Sequence, residues 1–267
     1  MIGTFLGDIL GSPYQFSKFT NSTLDLLNPD TRLHPASFTD DTLLTISVME
    51  HLLINNDILE SFKNMFQLFP HAGWGQRFAE QMLFDGNNDS FGNGCIMRIL
   101  PVSLYYNKLD DALKKAKELT VITHNHENSL LAVEILVELG FRINQKKEDL
   151  ISIIKDLENK YETNLSFKLK EIEDKHSDAA ALSTIQSVIP CLLESDSFES
   201  TIKNAIIIGG DTDTRAAIVG GLAEIYYTDK KNQDYIYKTF DFVSKWDDLF
   251  ISNNQFQNIV DTFYNSI

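Results

Sequence analysis

Residues 1–16 read MIGTFLGDILGSPYQF. Ile2, Phe5, Leu6, Ile9 and Leu10 follow the i, i+3, i+4, i+7, i+8 spacing that lines up apolar side chains on one helix face. Gly3, Gly7 and Gly11 recur at every fourth position of the same stretch. A glycine weakens a helix interior by about 1 kcal/mol, so three in register point to a bare face pressed against another element. Asp8 interrupts the apolar run. Buried there it needs a partner; on a solvent-facing side it needs none.

Helical spacing continues outward from this segment. Residues 12 to 38, with Pro13, Pro29 and Pro35, read as loop. A helix is expected from about Asp40 to Leu53, with Leu43, Ile46, Met49, Leu52 and Leu53 on one side. Residues 70 to 95 are rich in Gly, Asn and Asp and read as a long aperiodic loop, the kind that often carries function. Further helices are expected at 109 to 119, at 127 to 143 (apolar nearly all round and therefore central), at 179 to 194 and at 199 to 208. Residues 144 to 178 are rich in Lys, Glu and Asp and read as peripheral amphipathic helices with a loop. RAAIVGGLAEIYY, after Gly209–Thr214, reads as a second central helix, and amphipathic pieces end the chain. With no period-two runs and no repeat, the expected class is all-α, one domain over residues 1–267.

The chain has 267 residues, 23 Lys+Arg against 38 Asp+Glu, and a formal net charge of −15. At 43% hydrophobic and 23% charged it is globular rather than disordered. The acid excess argues against a nucleic-acid binder and against docking on an anionic membrane. An anionic ligand would need local neutralisation from metals, helix N-termini or backbone amides. Cys95 and Cys191 make neither a disulfide framework nor a cysteine zinc site. The N-terminus lacks a basic n-region and no stretch is a membrane span. A cytoplasmic address is expected, with non-classical export left open.

Two acidic clusters stand at the starts of apolar helices: Phe38-Thr39-Asp40-Asp41-Thr42 and Gly209-Gly210-Asp211-Thr212-Asp213-Thr214. One such cluster alone is an ordinary helix cap. Two, each with surplus carboxylates and hydroxyls, match the hard oxygen donors that Mg²⁺, Mn²⁺ and Ca²⁺ prefer. In an extended turn Asp211 and Asp213 would face one centre. Four converging carboxylates with few nearby Lys or Arg would repel each other, and two divalent ions would resolve the conflict. The stretch Ser90-Phe91-Gly92-Asn93-Gly94-Cys95-Ile96-Met97-Arg98 opens with a Gly-rich turn that offers backbone N–H groups to phosphate or is simply a turn. His124 and His126, in Thr123-His124-Asn125-His126, offer a metal pair or a structural hydrogen bond.

In order along the chain, GD-x-x-GSPY, FTDDT, FGNG-x-x-MR, THNH and GGDTDT resemble the ADP-ribosylglycohydrolase family, which includes dinitrogenase-reductase-activating glycohydrolases and ADP-ribosyl-acceptor hydrolases. The resemblance runs from Met1 to about Tyr227. It implies a compact all-α domain with two Mg²⁺ or Mn²⁺ ions in a central cleft, held by Thr39, Asp40, Asp41, Asp211, Asp213 and Thr214. It implies a substrate site for ADP-ribose, or an ADP-ribosylated protein, that uses Asp8, Ser90, Phe91, Gly92, Asn93, Gly94 and His124. The implied activity is removal of ADP-ribose from a modified side chain, or cleavage of a related ADP-ribose linkage.

One position departs from the family pattern. Many relatives carry a catalytic Glu where this chain has Gln15. Gln cannot accept a proton at neutral pH. Gln15 therefore leaves three expectations: an inactivated variant, a weak enzyme or reader of ADP-ribose, or a hydrolase in which another carboxylate such as Asp41 serves as base. A structural protein reusing the fold is a further alternative, disfavoured by the intact acidic positions.

Overall fold

The computed structural model describes residues 1–17, 24–28, 30, 32–86, 88–172, 179–246 and 254–267. Parts of the loop expected over 12–38 (18–23, 29 and 31), residue 87 and the 173–178 end of the charged stretch lie outside these residues. The described chain is all-α. Its extended pairing is confined to isolated bridges between Asp89 and His124 and between Gly92 and Ala180. The helices are α1 (Ile2–Gly11), α2 (Asp40–Ile54), α3 (Ile58–Leu68), α4 (Gln76–Phe84), α5 (Leu100–Tyr105), α6 (Leu109–Thr120), α7 (Glu127–Gln145), α8 (Leu150–Tyr161), α9 (Leu169–Ile172), α10 (Ala181–Leu193), α11 (Phe198–Ile207), α12 (Thr212–Tyr226), α13 (Lys230–Val243) and α14 (Asn254–Ser266). No helix among the described residues is long and apolar enough to cross a membrane.

The glycine register of α1 meets α12. A Cβ on Gly3 would strike the Gly220 carbonyl, one on Gly7 the Ala216 carbonyl, and one on Gly11 the Thr212 carbonyl. Backbone packs on backbone along the full length of α1, and the Thr212 hydroxyl closes the end of the seam on the Gly11 carbonyl at 2.9 Å. The other end is pinned by Glu224, which accepts from the Gly3 amide at 2.8 Å and from the Tyr264 hydroxyl of α14 at 2.6 Å. Around this pair the buried apolar residues form one connected core from Met1 to Phe263.

Two expectations change. α2 is buried nearly all round from Asp41 to Met49, not on one side. Its polar residues hide that burial because they bond back into their own helix: the Thr45 hydroxyl reaches the Asp41 carbonyl at 2.7 Å and the Ser47 hydroxyl the Leu43 carbonyl at 3.0 Å. The stretch 70 to 95 is not a continuous loop, since α4 lies within it. Phe78, Gln81 and Met82 bury one side of that short helix. Phe78 stacks on Trp74 at 5.3 Å and packs against Phe62 at 6.1 Å. Gln81 donates to the Ile122 carbonyl at 2.7 Å, tying α4 to the segment that carries His124.

Candidate active site

Asp8 is fully buried, which excludes the solvent-facing alternative. It reaches from α1 to the first turn of α2, where helical N–H groups have no intrahelical acceptor. Its carboxylate accepts from the amides of Thr39 at 2.8 Å and Thr42 at 3.2 Å, and from the hydroxyls of Thr39 at 2.8 Å and Thr42 at 2.5 Å. These bonds and the positive end of the helix dipole favour the anion. Burial outweighs them and pushes its pKa up to about 6.

Asp41 and Asp213 complete a cluster. Asp8, Asp41 and Asp213 each offer one carboxylate oxygen within 4.8 Å of the others. Asp41 accepts the Thr214 hydroxyl at 3.1 Å through Oδ2, while its buried Oδ1 has no hydrogen-bond partner among the described residues. Burial, then the charges of Asp8, Asp40 and Asp211, raise Asp41 well above the carboxylate range. Burial, then Asp211 and Asp41, do the same for Asp213. Asp40 is raised by burial and by Asp8 and Asp211, with Arg98 opposing. Such a set is strained as bare anions. The orphaned Asp41 Oδ1 and the hard oxygen donors Thr39 and Thr214 fit a divalent cation.

Asp211 is placed differently. It precedes α12, and Asp213 lies in the first helical turn, so the two do not share the extended turn expected of them. The helix starts at Thr212 because Gly209 and Gly210, at φ of 71° and 73°, turn the chain sharply into it. Asp211 Oδ1 accepts from the Gln15 side-chain amide at 3.0 Å and Oδ2 from the Asn93 side-chain amide at 2.8 Å. Gln15 thus faces the acidic floor as a donor.

Above the floor lies a cavity of about 330 Å³, bordered by Gln15, Phe16, Asp40, Asp41, Asp211 and Thr214 below and by Ser90, Gly92, Asn93, Gly94, Arg98 and His124 on one wall. That volume suits a small ligand. Phe91 does not join its neighbours on the wall. It is 49% exposed, its ring 5.8 Å from that of His126 and 5.5 Å from the guanidinium of Arg77, which borders the mouth. The expectation of open amides in this turn is corrected at two positions: the Gly92 N–H goes to the Ser90 hydroxyl at 3.2 Å and the Asn93 N–H to the Ala179 carbonyl at 2.8 Å. His126 caps α7, its Nδ1 accepting from the Asn128 amide at 3.1 Å.

A cation legible in the sequence only as the end of the FGNG-x-x-MR motif, with no role, stands in this wall. Arg98 is 1% exposed. Its guanidinium sits 4.5 Å from the centre of the Phe62 ring and donates to the Thr123 hydroxyl at 2.6 Å. Burial lowers its pKa to about 10, which leaves it charged at neutral pH. The signal for it was a lone charge inside the apolar run CIMRILPV. Arg77 and Gln76, which border the mouth from α4, were missed together with their helix.

Comparison with known proteins agrees with this architecture. The chain is 24% identical to ADP-ribosylhydrolase ARH3 of Homo sapiens over 309 aligned positions, covering 85% of this chain and 84% of the relative. It is 25% identical to ADP-ribosylhydrolase ARH3 of Danio rerio, covering 85% and 81%. A solved structure titled "ADP-ribosylglycohydrolase-related protein complex" shares the fold with a TM-score of 0.65 at 20% identity, covering 92% of this chain and 95% of its own. The model of the ADP-ribosylglycohydrolase family matches residues 1–228. With helices, acidic floor and family model in agreement over most of its length, the chain belongs to the ADP-ribosylglycohydrolase family.

Proposed function

We propose that this chain acts, as a single domain, as a metal-dependent hydrolase that releases ADP-ribose from a modified protein side chain. The observation that carries the reading is the convergence of Asp8, Asp41 and Asp213 beneath a cavity of ligand size. Thr39, Asp40, Asp41, Asp211, Asp213 and Thr214 would hold divalent cations, two Mg²⁺ or Mn²⁺ by family resemblance; Asp8, expected on the substrate side, does not border the cavity and joins them through its place beside Asp41 and Asp213. When bound, such ions neutralise the floor and supply Lewis acidity toward ribose hydroxyls and a water nucleophile. Ser90, Gly92, Asn93 and Gly94 give the wall its shape, and His124 faces the same space. Phe91 contributes at the rim beside Arg77. A cytoplasmic setting fits such a substrate.

The proton taken from the attacking water needs a base. Gln15 cannot be that base. Its amide instead steadies Asp211. Asp41, one of the carboxylates that border the cavity, takes that role in this reading, at the edge of the metal set. The same Gln15 favours a second reading, an ADP-ribose-binding protein with little turnover. The test is Mg²⁺-dependent release of ADP-ribose from arginine- and serine-modified proteins by the wild type and by Gln15→Glu. Turnover by the wild type supports the hydrolase with its base elsewhere. Turnover by Gln15→Glu alone selects the reader, and ADP-ribose binding by neither overturns both.

A further inference from the structure

His124 is 5% exposed and borders the cavity. Its Nδ1 lies 2.7 Å from the Thr123 hydroxyl, which is also 2.6 Å from an Arg98 nitrogen. A guanidinium only donates, so the Thr123 oxygen accepts from Arg98. The hydroxyl then has one proton to place, and Thr123 is 2% exposed, so water does not take it. If Nδ1 carried a hydrogen, two donors would meet on the Thr123 oxygen and its own proton would be stranded, at the cost of a lost buried hydrogen bond. If Nδ1 is bare, the chain runs from Arg98 Nη2 through the Thr123 hydroxyl to His124 Nδ1 with the Thr123 proton placed and Nδ1 paired, and the guanidinium charge polarises it in that direction. Burial and the Arg98 charge also press the His124 pKa down to about 3, so the ring is neutral. A neutral ring with a bare Nδ1 carries its proton on Nε2.

Nε2 lies across the Gly92–Gly94 turn. A Cβ placed on Gly94 would come within 3.3 Å of it and one on Gly92 within 3.8 Å. Among the described residues nothing accepts from Nε2, and the buried Arg98 Nη1 likewise has no hydrogen-bond partner. With the Gly92 and Asn93 amides already engaged, Nε2–H is a donor this wall keeps for a ligand. We propose that Arg98 and Thr123 are positioning residues that fix His124 as an Nε2–H donor, aimed at an anionic oxygen of the bound ligand. The identity of that oxygen as part of a diphosphate rests on the ADP-ribose reading; the tautomer does not.

Nitrogen-15 spectra of ring-labelled histidine in the ligand-free wild type read the tautomer directly. A protonated Nε2 and a bare Nδ1 are expected for His124, and a protonated Nδ1 would overturn the assignment. Thr123→Val keeps the shape and removes the relay, whereas Thr123→Ser restores the hydroxyl. Calorimetry in Mg²⁺ is expected to show ADP-ribose affinity about tenfold weaker in Thr123→Val, near wild type in Thr123→Ser, and bound-metal content unchanged in both. Full affinity and an unchanged ring spectrum in Thr123→Val would sink the relay. If the wild type bound no ADP-ribose, the functional reading would fall separately. The ring spectrum, repeated with inorganic diphosphate, would still decide for or against Nε2–H.

Discussion

The floor of the cavity gathers Asp8, Asp41 and Asp213 with threonine hydroxyls and helix amides as their hydrogen-bond partners. The adjoining wall is built around a buried arginine held by a phenyl ring and a threonine. Both regions bury ions. The wall holds one cation: Arg98 has neutral partners in Phe62 and Thr123, and the carboxylate whose charge it feels is Asp40 of the floor. The floor gathers like charges: burial raises Asp8, and burial with neighbouring carboxylates raises Asp41 and Asp213. A lone arginine stays charged at neutral pH with neutral partners, whereas a cluster of carboxylates calls for a counter-ion, the role the proposed reading gives to a divalent cation.

Removing a floor carboxylate should break that contrast most sharply. Asp213→Ala is expected to weaken Mg²⁺ binding by more than about 100-fold and to take ADP-ribose affinity with it; calorimetry showing unchanged Mg²⁺ binding would remove Asp213 from the floor. Chelation gives the next largest effect. Asp8 has a folded pKa of about 6 against an ordinary 3.8. The folded metal-free protein therefore holds more protons than the unfolded chain between those values. Its stability is fully present below about pH 4 and declines, by a few kcal/mol in all, as pH rises through 6. Thermal melts in chelator should show that decline for the Asp8 contribution, and saturating Mg²⁺ should flatten it. A melt insensitive to Mg²⁺ at pH 7 would mean that the floor is not a cation site. Phe91→Ala sharpens the comparison from the wall side with the smallest effect, a loss of ADP-ribose affinity of about threefold to tenfold with metal content intact. Unchanged affinity would confine Phe91 to its contacts with His126 and Arg77.

What the sequence made legible follows the range of the interactions. The α1 register was readable because glycines four apart have a local cost that only close packing explains, and α12 supplies that packing. The acidic clusters were readable because each is contiguous. Asp8 was harder, since the donors to its carboxylate lie 31 and 34 residues away, at the N-cap and in the first turn of α2. The role of Arg98 was missed for the same reason: the ring beneath it, Phe62, belongs to α3, and its hydroxyl partner follows 25 residues later. α4 escaped because it is a single short helix whose first residue follows a glycine with no side-chain cap. Its Gly- and Asn-rich surroundings masked a pattern of only a few apolar positions.

The α1–α12 seam also sets a dimension. Asp8 follows Gly7, and Asp213 follows Thr212, whose carbonyl lies where a side chain on Gly11 would be. The spacing between the main chains that carry these two carboxylates is therefore gauged by direct backbone contact, and only the Asp side-chain torsions remain to adjust it. Mg²⁺ and Ca²⁺ differ by about 0.3 to 0.5 Å in their preferred distance to oxygen, less than the displacement one added methyl would force on the seam. Under the proposed metal reading, the frame that meets an ion's size is set by glycines that would touch no ion, and retuning it is a matter of helix separation as much as of ligand identity.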